Sequence, residues 1–378
     1  MIITRTPYRI SFFGGGTDYH TWYQEHGGSV LSTSINYYCT LICNHKPPFF
    51  ENKHRVVWSQ IENINEADEI KHPVVREVMK HMNIQRGIEV FHQGDLPARS
   101  GIGSSSSFTV GFLNAMYALR GQMSTKQQLA AEAVYIEREI LRESVGVQDQ
   151  IAAAYGGLNR INIQPDGNFE VHPLTISPIR SNELKSHLML FYTGIARNAS
   201  EVAEDKIAKI PSKTAQLIQM QKMVDEATSI LTSGQDITDF GRLLHETWQL
   251  KRGISGKISS SFIDDIYAKA RAAGATGGKL LGAGGGGFML FFVKPEKQQK
   301  VLEALSNLLW VPFDFERHGS HVAFYSPTSF SRESLLRRNY AHLGDATGSA
   351  NIENIKNFIK PEEESEMQRP TKFQLVHK

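Results

Sequence analysis

Cysteine is scarce in this sequence, with two among 378 residues, Cys39 and Cys43. Both lie in YYCTLIC, which reads as a strand, and four residues of strand separate two Cα atoms by about 13 Å, too far for a disulfide. The pair reads as core thiols. The fourteen histidines are scattered instead of set at finger spacing, which speaks against a structural zinc site. This cysteine usage fits a cytoplasmic protein. Excess charge is also missing: 41 basic against 39 acidic side chains leave a formal net charge of +2. No global field therefore draws the chain to nucleic acid or to an anionic membrane, and an anionic ligand must be met locally. Apolar runs stay short. LMLFY at 188–192 and FMLFFV at 288–293 have the length of buried strands, well below that of a spanning helix. The opening MIITRTPYRISFF is broken by Arg5 and Arg9 and has no small-residue cleavage pattern behind it, so it reads as structure and not as a signal peptide. No repeat of fixed period is visible.

What is present is ample core material, 40% hydrophobic and 10% aromatic, in a length that suggests two domains. Alternation and β-branched content predict strands at 2–6, 8–13, 29–43, 55–59 and 87–91. Two helices follow, at 104–119, with Phe108, Phe112, Leu113 and Met116 on one side, and at 126–142, entered through Ser124 with Gln127 in a capping-box pattern. A second set of elements starts near residue 167: a strand at 188–192, helices at 201–233, 237–250 and 263–273, a strand at 288–293, a helix at 296–308 and a last strand at 322–325. Strands followed by helices predict an α+β class. The expected division is 1–166, 167–326 and a charged, proline-interrupted extension at 327–378.

Four segments carry the chemistry. In DLPARSGIGSSSS, 95–107, glycines at 101 and 103 let backbone N–H groups approach a ligand, and the serines open a helix whose first amides lack internal partners. That is an anion cradle, with hydroxyls for phosphate oxygens or Mg²⁺. It is neither a Walker loop, which needs a lysine, nor the dinucleotide fingerprint, which needs a third glycine where Ser106 stands. Alone, it reads equally as a serine-rich helix cap. In TPYRISFFGGGTDY, 6–19, Arg9 sits on a strand and Asp18 emerges past a glycine turn, where a carboxylate can bond sugar hydroxyls. In IEREILRESVGVQDQIAAAYGG, Glu137 lies on a helix and Asp149 follows a glycine-marked break, so one carboxylate can reach a metal and the other a substrate. GGKLLGAGGGGFMLFF, 277–292, has glycines able to fold around another loop.

Taken together and in this order, over residues 1 to 326, these segments resemble the GHMP kinase superfamily. GGGTDY, DLPARSGIGSSSS, GVQDQIAAAYGG and YTGIARNAS are most similar in form to D-glycero-D-manno-heptose 7-phosphate kinases. Galactokinases carry an Asn-Leu-Ile-Gly-Glu-His run where this chain has Ile10-Ser-Phe-Phe-Gly-Gly-Gly. The resemblance implies a two-domain α+β fold, with an N-terminal domain like that of ribosomal protein S5 and a ferredoxin-like C-terminal domain. It implies ATP and Mg²⁺ as cofactors and phosphorylation of the anomeric hydroxyl of the heptose 7-phosphate. Pro97, Ser100, Gly101, Gly103, Ser104, Ser105 and Ser106 would wrap the ATP phosphates, with Ser105 and Glu137 on the metal. Asp149 would be the general base, with Arg9 offsetting charge on the transferred group. Gly15, Gly16, Thr17 and Asp18 would hold the sugar, and Arg197 or Arg252 the sugar's own phosphate. Trp58 reads first as a core tryptophan and only second as a contact for adenine. A fucose- or mannose-type kinase and a non-catalytic binding protein on the same fold are the alternatives.

Overall fold

The computed structural model describes residues 1–47, 49–195 and 199–327. Strand β1 (Ile2–Phe13) is continuous. The two strands expected there are one, because Pro7 sits where the register with the next strand shifts, and a proline is tolerated where the ladder is interrupted. Helix α1 (His20–His26) leads into β2 (Gly28–His45), 18 residues long. Both cysteines are on β2, buried and free. Next come the hairpin β3 (His54–Val57) and β4 (Ile61–Ile64), helix α2 (Pro73–His81) and β5 (Ile88–Gly94).

Helix α3 (Ser104–Leu119) begins and ends where the pattern predicts, but it is buried all round from Ser106 to Ala118. The small and apolar residues on every side permit this, and the helix runs through the middle of the domain. Helix α4 (Lys126–Tyr135) is capped by Thr125, whose side chain accepts from the Gln128 amide, one place after the expected Ser124 cap. It does not continue as α-helix to residue 142: Ile136–Ile140 widens into a π-helical turn that carries Glu137. Helix α5 (Gln148–Tyr155) and the hairpin β6 (Leu158–Ile163) and β7 (Phe169–Pro173) follow. The expected division after residue 166 cuts through this hairpin, whose strands are paired in register.

The second half comprises α6 (Pro178–Ser186), β8 (Leu188–Tyr192), α7 (Ala199–Lys209), α8 (Thr214–Thr232), α9 (Thr238–Arg252), α10 (Ser261–Ala272), β9 (Ala275–Leu280), β10 (Phe288–Val293), α11 (Gln298–Ala304) and β11 (Leu309–Trp310). The single helix expected at 201–233 is two, because Pro211 stands in a 3₁₀ turn between α7 and α8 and proline cannot continue the α-helical bond pattern. Strands β11, β8, β10 and β9 form an antiparallel sheet in that order.

Strands β12 (Phe315–Glu316) and β13 (His321–Tyr325) return to the first sheet, pairing with β2 and β1. The strand expected to close the second sheet therefore covers the outer edge of β1, whose backbone groups need a partner. β2 is the hub: it pairs with β1 along most of its length, with β6 at its start and with β5 at its end. The halves lock where the rings of Phe12 and Phe13 meet Phe240 edge-on, with centroids 5.4 and 5.0 Å apart. No helix among the described residues is long and apolar enough to cross a membrane. The 327–378 extension, apart from Pro327, lies outside the described residues.

Candidate active site

The loop between β5 and α3 is shaped by its backbone. Ser100 Oγ donates to the Pro97 carbonyl at 2.6 Å, and the Arg9 amide donates to the Ile102 carbonyl at 3.0 Å. Gly103 caps α3 in the left-handed region, φ 77°, with no side-chain cap. A Cβ at Gly103 would stand 3.2 Å from Arg9 Cγ. The glycine-rich loop after β9 does fold around this one: a Cβ on Gly282 would lie 2.5 Å from Gly101 Cα. The outcome is an open helix mouth with unpartnered first-turn amides and the positive end of the helix dipole. It faces a cavity of about 420 Å³ lined by Gly101, Gly103, Ser104, Ser105 and Ser106. Pro97 and Ser100 are outside that wall and brace the loop from behind.

Arg9 crosses beneath the mouth. Its Nε and one terminal nitrogen donate to the two carboxylate oxygens of Asp149 at 2.8 Å each, and its other nitrogen donates to the Gly101 carbonyl at 2.6 Å. The Arg9 side chain is 4% exposed and that of Asp149 27%, so the carboxylate reaches the cavity while its partner is held inside. Asp149 stands in the first turn of α5.

The glycine turn after β1 forms the adjoining wall. Asp18 accepts from the Gly16 amide at 2.8 Å and from Gln148 Nε2 at 2.9 Å. The Val147 amide donates to the Asp18 carbonyl at 3.1 Å, which ties the turn to the start of α5. Gly15 and Asp18 line the cavity. Thr17 turns inward, fully buried, with its hydroxyl 2.9 and 3.0 Å from the Gly14 and Ser29 carbonyls. Its side chain holds the turn on β2, and Gly16 likewise contributes through its amide to Asp18. Two further polar atoms here have no partner among the described residues, Ser11 Oγ and Gln148 Oε1.

Glu137 lies behind the serines, fully buried, and accepts from Ser106 Oγ at 2.9 Å, Thr109 Oγ1 at 2.6 Å and the Gln150 side-chain amide. Burial raises its pKa to about 7, with the charge of Glu143 adding and the three hydrogen bonds opposing. Gln150 Oε1 is buried with no partner. The Glu137 carboxylate, the Ser106 and Thr109 hydroxyls and the orphaned amide oxygen of Gln150 form a hard-oxygen donor set that fits Mg²⁺, which takes few protein ligands and keeps waters; the serine bonded to Glu137 is Ser106, one place after the Ser105 expected. The described residues hold no group of three or more His, Cys, Asp or Glu placed to bind a metal.

Trp58 is in the cavity wall with His72, His92 and Phe108. Its Nε1 donates to Glu62 at 2.8 Å, its ring meets His72 edge-on at 4.9 Å, and His72 stacks on Phe108 at 4.4 Å. Burial pushes the His72 pKa down to about 4, so the ring is neutral. Three buried lysines, Lys206, Lys251 and Lys279, also line the cavity. Sequence reading passed over them, since single lysines in helix and strand patterns carry no local signal. Arg252 is not in the wall; it pairs with Asp264 at 2.9 Å. Arg197 lies outside the described residues.

An open helix mouth, a row of hydroxyls, a carboxylate clamped by a guanidinium and a flat aromatic wall around one cavity are the arrangement of a small-molecule kinase. The description of the GHMP kinases N terminal domain matches residues 69–157, and that of the GHMP kinases C terminal matches 226–309. The chain is 31% identical over 316 residues to a D-glycero-alpha-D-manno-heptose 7-phosphate kinase of Campylobacter jejuni, across 80% of this chain and 93% of that one. The chain belongs to the GHMP kinase family, and its two sheets are the two halves of that α+β fold. Two solved structures agree at the level of fold. A D-glycero-D-manno-heptose 1-phosphate kinase from Bacteroides thetaiotaomicron has a TM-score of 0.72 at 23% identity, over 86% of this chain and 100% of that one. A mevalonate kinase has a TM-score of 0.65 at 21% identity, over 84% and 100%.

Proposed function

We propose that this protein transfers the γ-phosphoryl group of ATP to the anomeric hydroxyl of D-glycero-D-manno-heptose 7-phosphate, giving the 1,7-bisphosphate for nucleotide-activated heptose synthesis in the cytoplasm. The observation that carries the reaction is the Arg9–Asp149 clamp, which holds a carboxylate at the cavity wall beside the open mouth of α3. The heptose 7-phosphate kinase relative, matched along nearly its whole length, supports the substrate.

In this reading the aromatic wall of Trp58, His72, His92 and Phe108 receives the adenine, and the first turn of α3 receives the phosphates. Ser105 and Glu137 would hold Mg²⁺, which supplies charge neutralisation on the phosphate oxygens when bound. Gly15 and Asp18 hold the sugar, with Gly16 and Thr17 shaping their turn and the free oxygens of Ser11 and Gln148 available to hydroxyls. The sugar oxygen forms a bond to the γ-phosphorus, the bond from that phosphorus to the bridging oxygen breaks, and the hydroxyl proton passes to Asp149. Arg9 offsets the charge on the transferred group. Because the transition state is loose, positioning counts for as much as proton removal.

The test is incubation with Mg²⁺-ATP and a panel of sugars with and without terminal phosphate, read by phosphorus NMR. A new anomeric phosphate on the heptose 7-phosphate is the expected result. Faster transfer to unphosphorylated fucose or mannose replaces the proposed substrate, and no transfer to any sugar favours a binding protein.

A further inference from the structure

We propose that Lys206, backed by Lys251 and Lys279, forms a second anion site on the acceptor side of the cavity and takes the phosphate that the sugar already carries. This rests on the sugar-phosphate kinase reading above and assigns to these lysines the task expected of Arg197 or Arg252.

Lys206 is 3% exposed and makes no hydrogen bond among the described residues. It lines the cavity, with Nζ 4.8 Å from the centroid of the Tyr19 ring. Its place is beside the glycine turn: a Cβ on Gly16 would lie 3.4 Å from Nζ. That is the side of Asp18, which accepts from the Gly16 amide. Lys251 Nζ donates to the Leu280 and Gly282 carbonyls at 2.8 and 2.7 Å, and Lys279 Nζ donates to the Phe12 carbonyl at 2.7 Å. Carbonyls orient these two ammonium groups but bring no formal negative charge.

The charges do not balance. Among the described residues the carboxylates that act on Lys206, Lys251 and Lys279 are Asp18 and Asp149, and Asp149 is already committed to Arg9 in a bidentate pair. A buried cation without a counter-charge costs stability, and a phosphate dianion supplies the two charges that are missing. Burial pushes the pKa of all three lysines down, that of Lys279 to about 7 with the charges of Lys206 and Arg9 adding. A bound phosphate opposes this shift and favours the ammonium form.

The experiment uses the full chain, wild type and Lys206→Met, checked for folding by thermal melting, with Lys206→Gln as substitute if the methionine variant does not fold. The expected result is a KM for the sugar phosphate raised ~10- to 100-fold with that for ATP changed by less than about twofold, the loss of one charge-assisted contact. Lys206→Arg recovers part of the loss. A raised KM for ATP, or a fall in kcat at unchanged KM, overturns the assignment. Calorimetric titration with inorganic phosphate, in saturating ADP, separates the two proposals. If no sugar phosphate is turned over, the function fails, while weaker phosphate binding in Lys206→Met still upholds the anion site. Equal binding in both proteins, or none in wild type, overturns it.

Discussion

Asp149→Asn removes one charge from the centre of the site and leaves its shape in place. Arg9 makes two hydrogen bonds of 2.8 Å to the carboxylate. An asparagine can accept one of them, while its NH₂ group meets the second guanidinium donor. A hydrogen bond to a charged group is worth about 1.5–3 kcal/mol and one between neutral groups about 0.5–1.5. One bond weakened and one lost, discounted because the Asp149 side chain is 27% exposed to water, comes to about 2 kcal/mol of folding stability. The melting temperature of a 378-residue chain then falls by roughly 2–3 °C. The chemical effect is larger. Loss of the proton acceptor lowers kcat by about 10²- to 10⁴-fold, which is about 2.7–5.4 kcal/mol of barrier. The KM for ATP stays close to that of wild type, because the phosphates are met by the first turn of α3. A coupled assay of ADP release at saturating sugar phosphate, with scanning fluorimetry on the same samples, measures both. A folded variant whose kcat stays within about tenfold of wild type refutes the base assignment.

Three further outcomes follow from the geometry. Glu137 has a folded pKa of about 7 against an ordinary value of 4.5, so the native state binds the extra proton and stability falls as pH rises through that window. In metal-free buffer Glu137→Gln removes this slope, and its melting temperature gains on wild type between about pH 5 and pH 7; parallel curves contradict the raised pKa, and an unchanged Mg²⁺ requirement contradicts the metal role. Gly103→Ala forces a Cβ onto φ 77° and to 3.2 Å from Arg9 Cγ. At about 1–2 kcal/mol for the left-handed backbone, it raises the KM for ATP roughly tenfold or more, and an unchanged KM means the α3 mouth does not hold the phosphates. Trp58→Ala weakens ATP binding about 2- to 12-fold through lost ring contact, and ATP quenches the fluorescence of Trp58 in wild type; no change in either places adenine elsewhere.

Much of the scaffold was legible in local pattern. Helix α3 begins and ends at the predicted residues because its glycine-serine entry is a local feature, as is the glycine turn that carries Asp18. The Arg9 and Asp149 roles were inferred from resemblance, and their bidentate contact spans 140 residues. No window of sequence contains both partners. The π-helical turn at Glu137 is not legible in the sequence, which continues a normal helical pattern there, and the break between α7 and α8 rests on Pro211 alone inside an otherwise helical pattern. Trp58 reads from sequence as a core residue first, whereas the structure leaves it half-buried in the cavity wall.

The order of elements, the absence of a disulfide framework and the small residues that let α3 approach Arg9 are properties of the chain itself, since they depend on backbone freedom and neighbouring side chains. Tertiary structure decided where β13 pairs, which of the turn residues face the cavity, and that lysines 45 and 28 residues apart in the chain, Lys206, Lys251 and Lys279, share its wall. The reason is physical: hydrogen-bond patterns and turns are settled within a few residues, whereas strand partners and the electrostatics of a cavity are sums over groups that only folding brings together.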